Sequence, residues 1–206
     1  MSVQDALLAY SLAALILTLT PGLDTALILR TASVEGGKKA FQAALGIDAG
    51  CFIWGAIVAF GLGALLAVSE IAYSVLKWCG ACYLCWLGTQ LIFRPRTSFN
   101  PSHGKAEAVG NWFLRGMLGN VLNPKIGIFY VSFLPQFIPT GHSPLIWTFL
   151  LVAIHVVMGT LWSLILIMTT GYASAWLKNN SVIKWMDIAT GGLFVFFAVK
   201  LAASSR

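Results

Sequence analysis

Hydrophobic positions along this chain fall into long unbroken blocks, and polar residues punctuate them only briefly. A bilayer core of about 30 Å takes about 20 apolar residues of helix. Six stretches reach that length, at about 6–29, 43–68, 71–93, 112–137, 145–170 and 182–202. The pattern is neither the alternation of a half-buried strand nor the narrow apolar stripe of a surface helix. It predicts an all-α integral membrane protein of six transmembrane helices, a single membrane domain over 1–206. The one polar stretch of any length, 94–111, carries Pro95, Pro101 and Gly104 and reads as a surface loop. It separates a first half, 1–93, from a second, 112–206, with three spans each.

Composition agrees with this pattern. Of the 206 residues 58% are hydrophobic and only 10% charged, where a soluble domain carries about 25% charged residues. The mean hydropathy is +0.83. The first apolar run lacks a basic leader and an Ala-x-Ala site, so it reads as a retained helix rather than a cleaved signal.

A net charge of +6 invites a nucleic-acid reading, but the positions of the charges point to membrane orientation instead. Arg30, Lys38 and Lys39 follow span 1, Arg94, Arg96 and Lys105 follow span 3 with Arg115 at the next helix start, and Lys178 and Lys184 follow span 5. The connections after spans 2 and 4 hold no Lys or Arg. Cytoplasmic loops carry the excess of basic residues, which predicts cytoplasmic odd loops and both termini outside.

Three spans plus three give the two halves opposite orientation, the layout of an inverted repeat. Thr20-Pro21-Gly22 interrupts the first span and Asn123-Pro124 the fourth. Proline removes a backbone donor and clashes with the carbonyl one turn back. Carbonyls freed at membrane depth are tolerated only where protein or a water-filled cavity satisfies them, and paired helix breaks point to a transporter's binding site.

Ionisable residues inside the apolar blocks need a reason, because each costs at least about 2.5–3.5 kcal/mol at mid-bilayer. Asp24 lies six residues before Arg30, about 9 Å of helix from the inner edge. Asp48 lies about 13 Å past Lys39, Lys125 about 15 Å past Arg115, and His155 about 16 Å past Pro144. All four are expected to converge on the centre or inner half of the bundle. Asp24 and Asp48 suit proton titration or amine binding. Lys125 suits a substrate carboxylate or a static ion pair with Asp24, and His155 a cavity wall, on one face with Met158, Gly159 and Trp162, or a packed, hydrogen-bonded core position. Thr20, Pro21, Gly22, Asn120, Asn123 and Pro124 are expected to shape the site, the polar ones by bonding a ligand or by refilling the broken backbone ladders.

Other residues read structurally. Cys79, Cys82 and Cys85 form a Cys-x-x-Cys-x-x-Cys run, but no His or carboxylate completes a metal set, so neither metal nor cofactor is expected. Gly46, Gly50, Gly55, Gly61 and Gly63 give span 2 a stripe for close helix approach. Trp54, Trp78, Trp86, Trp112 and Trp176 read as interface anchors.

Several segments resemble the lysine exporter (LysE/RhtB) family. They are Pro21-Gly22-Leu23-Asp24-Thr25, Gly37-Lys38-Lys39-Ala40, Ala43-Ala44-Leu45-Gly46-Ile47 with Gly50, and Leu76-Lys77-Trp78-Cys79-Gly80-Ala81 with Tyr83-Leu84 and Leu87-Gly88. Asn120-Val121-Leu122-Asn123-Pro124-Lys125, Phe133-Leu134-Pro135-Gln136-Phe137 and the run from Trp185 to Gly192 continue the match over nearly the whole chain. Leu23 stands where the family usually has a second proline, and Phe41 where a glycine is common. The resemblance implies proton-driven export of amino acids or close derivatives, threonine- or homoserine-like or basic, across the bacterial inner membrane. Its partners would be the amino-acid substrate, the proton and the lipid bilayer, with no nucleic acid; assembly with copies of itself is compatible with this. An enzyme is disfavoured, since His155 is the one histidine inside a span and no Gly-x-Ser-x-Gly or His-Glu-x-x-His occurs. The competing reading is a membrane-embedded subunit, or a non-transport protein, with a static ion-paired core.

Overall fold

The computed structural model describes residues 2–68, 78, 81–82, 85–86, 88–95, 110–172 and 179–203. Lys77, Cys79, Lys105, Trp176, Lys178 and most of the 71–93 and 94–111 segments lie outside the described residues. The described residues are helical throughout, joined by short turns. The main helices are α1 (Val3–Leu19), α2 (Leu23–Glu35), α3 (Gly37–Val68), α4 (Trp112–Val121), α5 (Pro124–Phe133), α6 (Pro144–Met168) and α7 (Asn180–Ala203), with a 3-10 turn at Leu134–Phe137. Residues 88–93 add a further helical stretch.

Both helix interruptions lie where proline forces them. Pro21 cannot donate to the carbonyl of Leu17, so α1 stops at Leu19 and α2 starts at Leu23, the pair bent by 50°. Pro124 opens α5, and the side chain of Asn123 caps it by accepting from the Lys125 amide at 3.1 Å. Among the described residues three helices are long and apolar enough to cross a membrane, over Gly37–Gly61, Pro144–Met168 and Ser181–Val199, and the bent α1–α2 pair, taken as one span, would make a fourth.

The first connection is shorter than the sequence predicts. Arg30 sits in a helix that runs on to Glu35, and Lys38 and Lys39 already belong to α3, leaving Gly36 alone as the linker. Gly36 has φ of +91°, a conformation that L side chains rarely adopt, and so turns the chain in one residue. The helix continues past Arg30 because its polar residues serve the helix itself: Ser33 Oγ bonds the Leu29 carbonyl at 2.7 Å, and Glu35 and Lys39 pair across the turn at 2.6 Å.

Two apolar clusters hold the bundle. One gathers Tyr10, Phe129, Phe133, Phe137, Trp147 and Phe197 from α1, α5, the 3-10 turn, α6 and α7. The other gathers Ile28, Leu29, Ala43, Ala44, Leu166 and Ile183 near the opposite ends of α2, α3, α6 and α7. Outward faces are apolar as well: Ile146, Leu150, Val157, Leu161 and Met168 all lie exposed along α6. Water tolerates so continuous an apolar face poorly; lipid does not penalise it.

Helices α3 and α4 approach closely. A Cβ on Gly46 would overlap the Phe113 carbonyl, and one on Gly116 the Ala43 carbonyl. Residue 88 meets α7 in the same way, since a Cβ on Gly88 would stand 2.6 Å from the Gly191 carbonyl and one on Gly191 2.6 Å from that of Gly88. Gly46, Gly50 and Gly55 of span 2 thus serve packing, whereas a Cβ on Gly61 meets nothing within 4 Å; the surroundings of Gly63 lie outside the described residues. Trp54 is not the interface anchor its type suggests: it packs toward α5, where a Cβ on Gly127 would lie 2.5 Å from its ring.

Candidate functional site

The two breaks face each other, and the polar groups beside them are cross-linked. Pro21 frees the Leu17 carbonyl, and the end of α1 frees that of Thr20. Lys125, one residue past the second proline, reaches across and donates to both, at 3.2 Å and 2.8 Å. A cation at a helix C-terminus also meets the negative end of the helix dipole. In return, Asn120 from the last turn of α4 donates through Nδ2 to Asp24 Oδ2 in the first turn of α2, at 2.9 Å. Gly22 lies beside Lys125: a Cβ there would stand in ordinary contact with the ammonium, 3.6 Å away.

Between these groups lies a cavity of about 70 Å³, several times the roughly 10–15 Å³ that one water needs. Asp24, Asp48, Lys125 and His155 all line it, as do Thr20, Gly22, Asn120 and Asn123. Its apolar wall comes from Leu17, Ile28, Ile47, Ile126, Val156 and Leu166, members or neighbours of the two core clusters. The cavity therefore sits between those clusters, with apolar packing on both sides.

Each polar group is positioned by a different helix pair. Asp48 of α3 accepts from Thr160 of α6, Oγ1 to Oδ2 at 2.8 Å. His155 of α6 is buried, its Nδ1 2.9 Å from the Tyr130 hydroxyl of α5. It is thus both a packed histidine and a cavity residue, and Gly159 and Trp162 line the wall with it while Met158 packs against the aromatic cluster. Thr20 returns its hydroxyl to the Ile16 carbonyl at 2.7 Å and meets the Thr190 hydroxyl of α7. Asn123 refills the broken ladder as a cap, whereas Asn120 bonds the Asp24 carboxylate instead. Pro21 is buried and not part of the cavity lining, and Pro124 starts α5.

Thr160, Tyr130 and Thr190 complete this set without being legible as site residues. Asp187 is a further carboxylate at depth, wholly buried in α7 and outside the cavity lining. Cys51 is a buried free thiol on the cavity wall, while Cys82 and Cys85 are exposed.

Known proteins of similar sequence include bacterial membrane and efflux proteins. The uncharacterized membrane protein YrhP of Bacillus subtilis is 31% identical over 98% of this chain and 100% of its own length. A homoserine/homoserine lactone efflux protein of Salmonella typhi is 30% identical, with 95% of each chain covered. A leucine efflux protein of Enterobacter sp. is 30% identical over 94% of this chain and 93% of its own. No solved structure matches the chain at a significant level. Residues 15–205 match the model of the LysE type translocators, and this membrane protein belongs to that family.

Proposed function

We propose that the protein exports small neutral amino acids or close derivatives from the bacterial cytoplasm in exchange for protons. The observation that carries this reading is the convergence of Asp24, Asp48, Lys125 and His155 on one cavity between two broken helices. Relatives named for efflux of homoserine and of leucine, each 30% identical, support a neutral substrate, and so does the largely aliphatic wall. Six spans in two inverted halves, with both termini outside, complete the picture.

The roles divide by position. Lys125 and Asp24 flank the same break. They suit the adjacent carboxylate and ammonium of one amino acid. A substrate carboxylate then competes with the Leu17 and Thr20 carbonyls for Lys125, coupling binding to the bend between α1 and α2. Asp48, tied to α6 on another wall, is left to carry the proton, and His155 orders that wall. Alternating access follows if the aromatic cluster and the aliphatic cluster part in turn. Each proton crossing about 100 mV yields about 2.3 kcal/mol; at 1.4 kcal/mol per tenfold that sustains roughly a forty-fold gradient.

The test is efflux from proteoliposomes loaded with labelled leucine, homoserine, threonine or lysine, with and without a pH gradient. Gradient-driven release of a neutral amino acid is expected. Release of lysine alone, or of none of the four, overturns the reading.

A further inference from the structure

Thr160 presents one hydroxyl to two acceptors. Its Oγ1 lies 2.8 Å from Asp48 Oδ2 and 2.8 Å from the Val156 carbonyl one turn back. A hydroxyl holds a single hydrogen but also accepts. With Asp48 ionised, that hydrogen goes to the carboxylate. With Asp48 protonated, the carboxyl O–H donates to Oγ1, and the hydroxyl hydrogen turns to the Val156 carbonyl. Both charge states are then hydrogen-bonded without any heavy atom moving. That matters inside a membrane, where an unsatisfied polar group is costly.

The surroundings leave this task to Thr160. The charged and titratable groups sharing the cavity with Asp48 are Asp24 from α2, Lys125 from α5, His155 from α6 and Cys51 from its own helix. Among the described residues, the hydrogen bond to the Asp48 side chain comes from Thr160. His155 is engaged by Tyr130 and Lys125 by the α1 carbonyls. Gly159, on the cavity wall, lies beside the other carboxylate oxygen: a Cβ there would stand 3.9 Å from Oδ1.

We infer that Thr160 is a positioning residue for proton movement at Asp48, turning its one hydrogen between the carboxylate and the Val156 carbonyl as Asp48 releases and takes up a proton. The proton itself comes from and returns to water at the cavity; Thr160 keeps its own hydrogen and breaks no covalent bond. The inference rests on the reading of Asp48 as the proton-carrying carboxylate.

The experiment compares the full-length wild type with Thr160→Val, Thr160→Ser, Asp48→Asn and Asp48→Asn/Thr160→Val in proteoliposomes, using labelled leucine and homoserine. Valine keeps the shape and removes the hydroxyl. Thr160→Val is expected to displace the pH profile of efflux by about one unit, as loss of one hydrogen bond to a charged group does. Leucine exchange at equal pH, which needs no net proton movement, stays within about twofold of wild type. Serine restores the wild-type profile, and in the Asp48→Asn background the valine change adds nothing. An unchanged profile in Thr160→Val, or a serine variant that behaves like valine, assigns Thr160 to packing and overturns the inference alone. Equal loss of exchange and driven efflux in Thr160→Val also overturns it. A wild-type protein that exports leucine or homoserine without responding to the pH gradient removes the proton role of Asp48, and the inference with it.

Discussion

The ammonium of Lys125 stands 2.8 Å from the carbonyl of Thr20, across 105 residues of sequence, and so ties the helix after the second break to the helix before the first. The Leu17 carbonyl, which Pro21 cannot serve, is its second acceptor at 3.2 Å. Removing the donor leaves both carbonyls without the ammonium. Lys125→Met is expected to lower stability by about 1–3 kcal/mol, the cost of leaving such groups unmade, while Lys125→Arg retains most of it. Thermal unfolding of the purified protein in detergent measures this. A methionine variant as stable as wild type would show that the tie does not hold the break.

The approach of α3 to α4 gives a prediction independent of transport. Gly46 has no room for a methyl group, since its Cβ would overlap the Phe113 carbonyl, whereas Gly61 on the same helix meets nothing within 4 Å. Gly46→Ala is expected to cost about 1–3 kcal/mol through overpacking. Gly61→Ala is expected to be neutral or slightly stabilising, since alanine is the better helix former. Equal melting temperatures for the two variants would contradict the close contact.

How far the site can be read from the sequence depends on the kind of residue. Pro21 and Pro124 announce the breaks because a missing backbone donor is a local, covalent fact. Asp24, Asp48 and Lys125 announce themselves because charge is rare in an apolar run. Asp187 carries that same signal inside the 182–202 run; its nearness to Lys184 makes it pass for a helix-end residue, although it is wholly buried. Thr160, Tyr130 and Thr190 give no such signal. A threonine in a membrane helix can satisfy itself on the carbonyl one turn back, as Thr160 and Thr170 both do, so its type says nothing about a second partner. Only the packing of α6 on α3 reveals which of the two faces a carboxylate. The length of the first connection is hidden for a related reason: Arg30 looks like a loop residue by charge, yet its helix runs on to Glu35.

Topology is open to a direct test. The Lys/Arg asymmetry predicts the 94–111 segment inside. In a background with Cys51, Cys79, Cys82 and Cys85 replaced, a cysteine introduced by Ser102→Cys should resist a membrane-impermeant maleimide in intact cells and react after permeabilisation. Labelling in intact cells would reverse the orientation.

Asp24 separates a binding role from a structural one. Its carboxylate accepts from Asn120 at 2.9 Å and sits in the first turn of α2, beside the break that Lys125 braces. If it receives the substrate's ammonium, Asp24→Asn should raise the KM for leucine or homoserine about tenfold or more, the worth of one charged hydrogen bond. The variant stays folded, because an asparagine amide can still bond Asn120 after turning over. Gradient dependence persists if Asp48 carries the proton, as proposed. If Asp24 serves only to balance Lys125, the single change leaves a buried cation uncompensated and destabilises the protein, and Asp24→Asn combined with Lys125→Met recovers transport, while the α1 carbonyls that Lys125 served still cost stability. The two cases give opposite outcomes in the double variant: the binding role predicts a protein that has lost both ends of its substrate site and no longer exports. Efflux with a wild-type KM in that double variant would remove Asp24 and Lys125 from the binding site together.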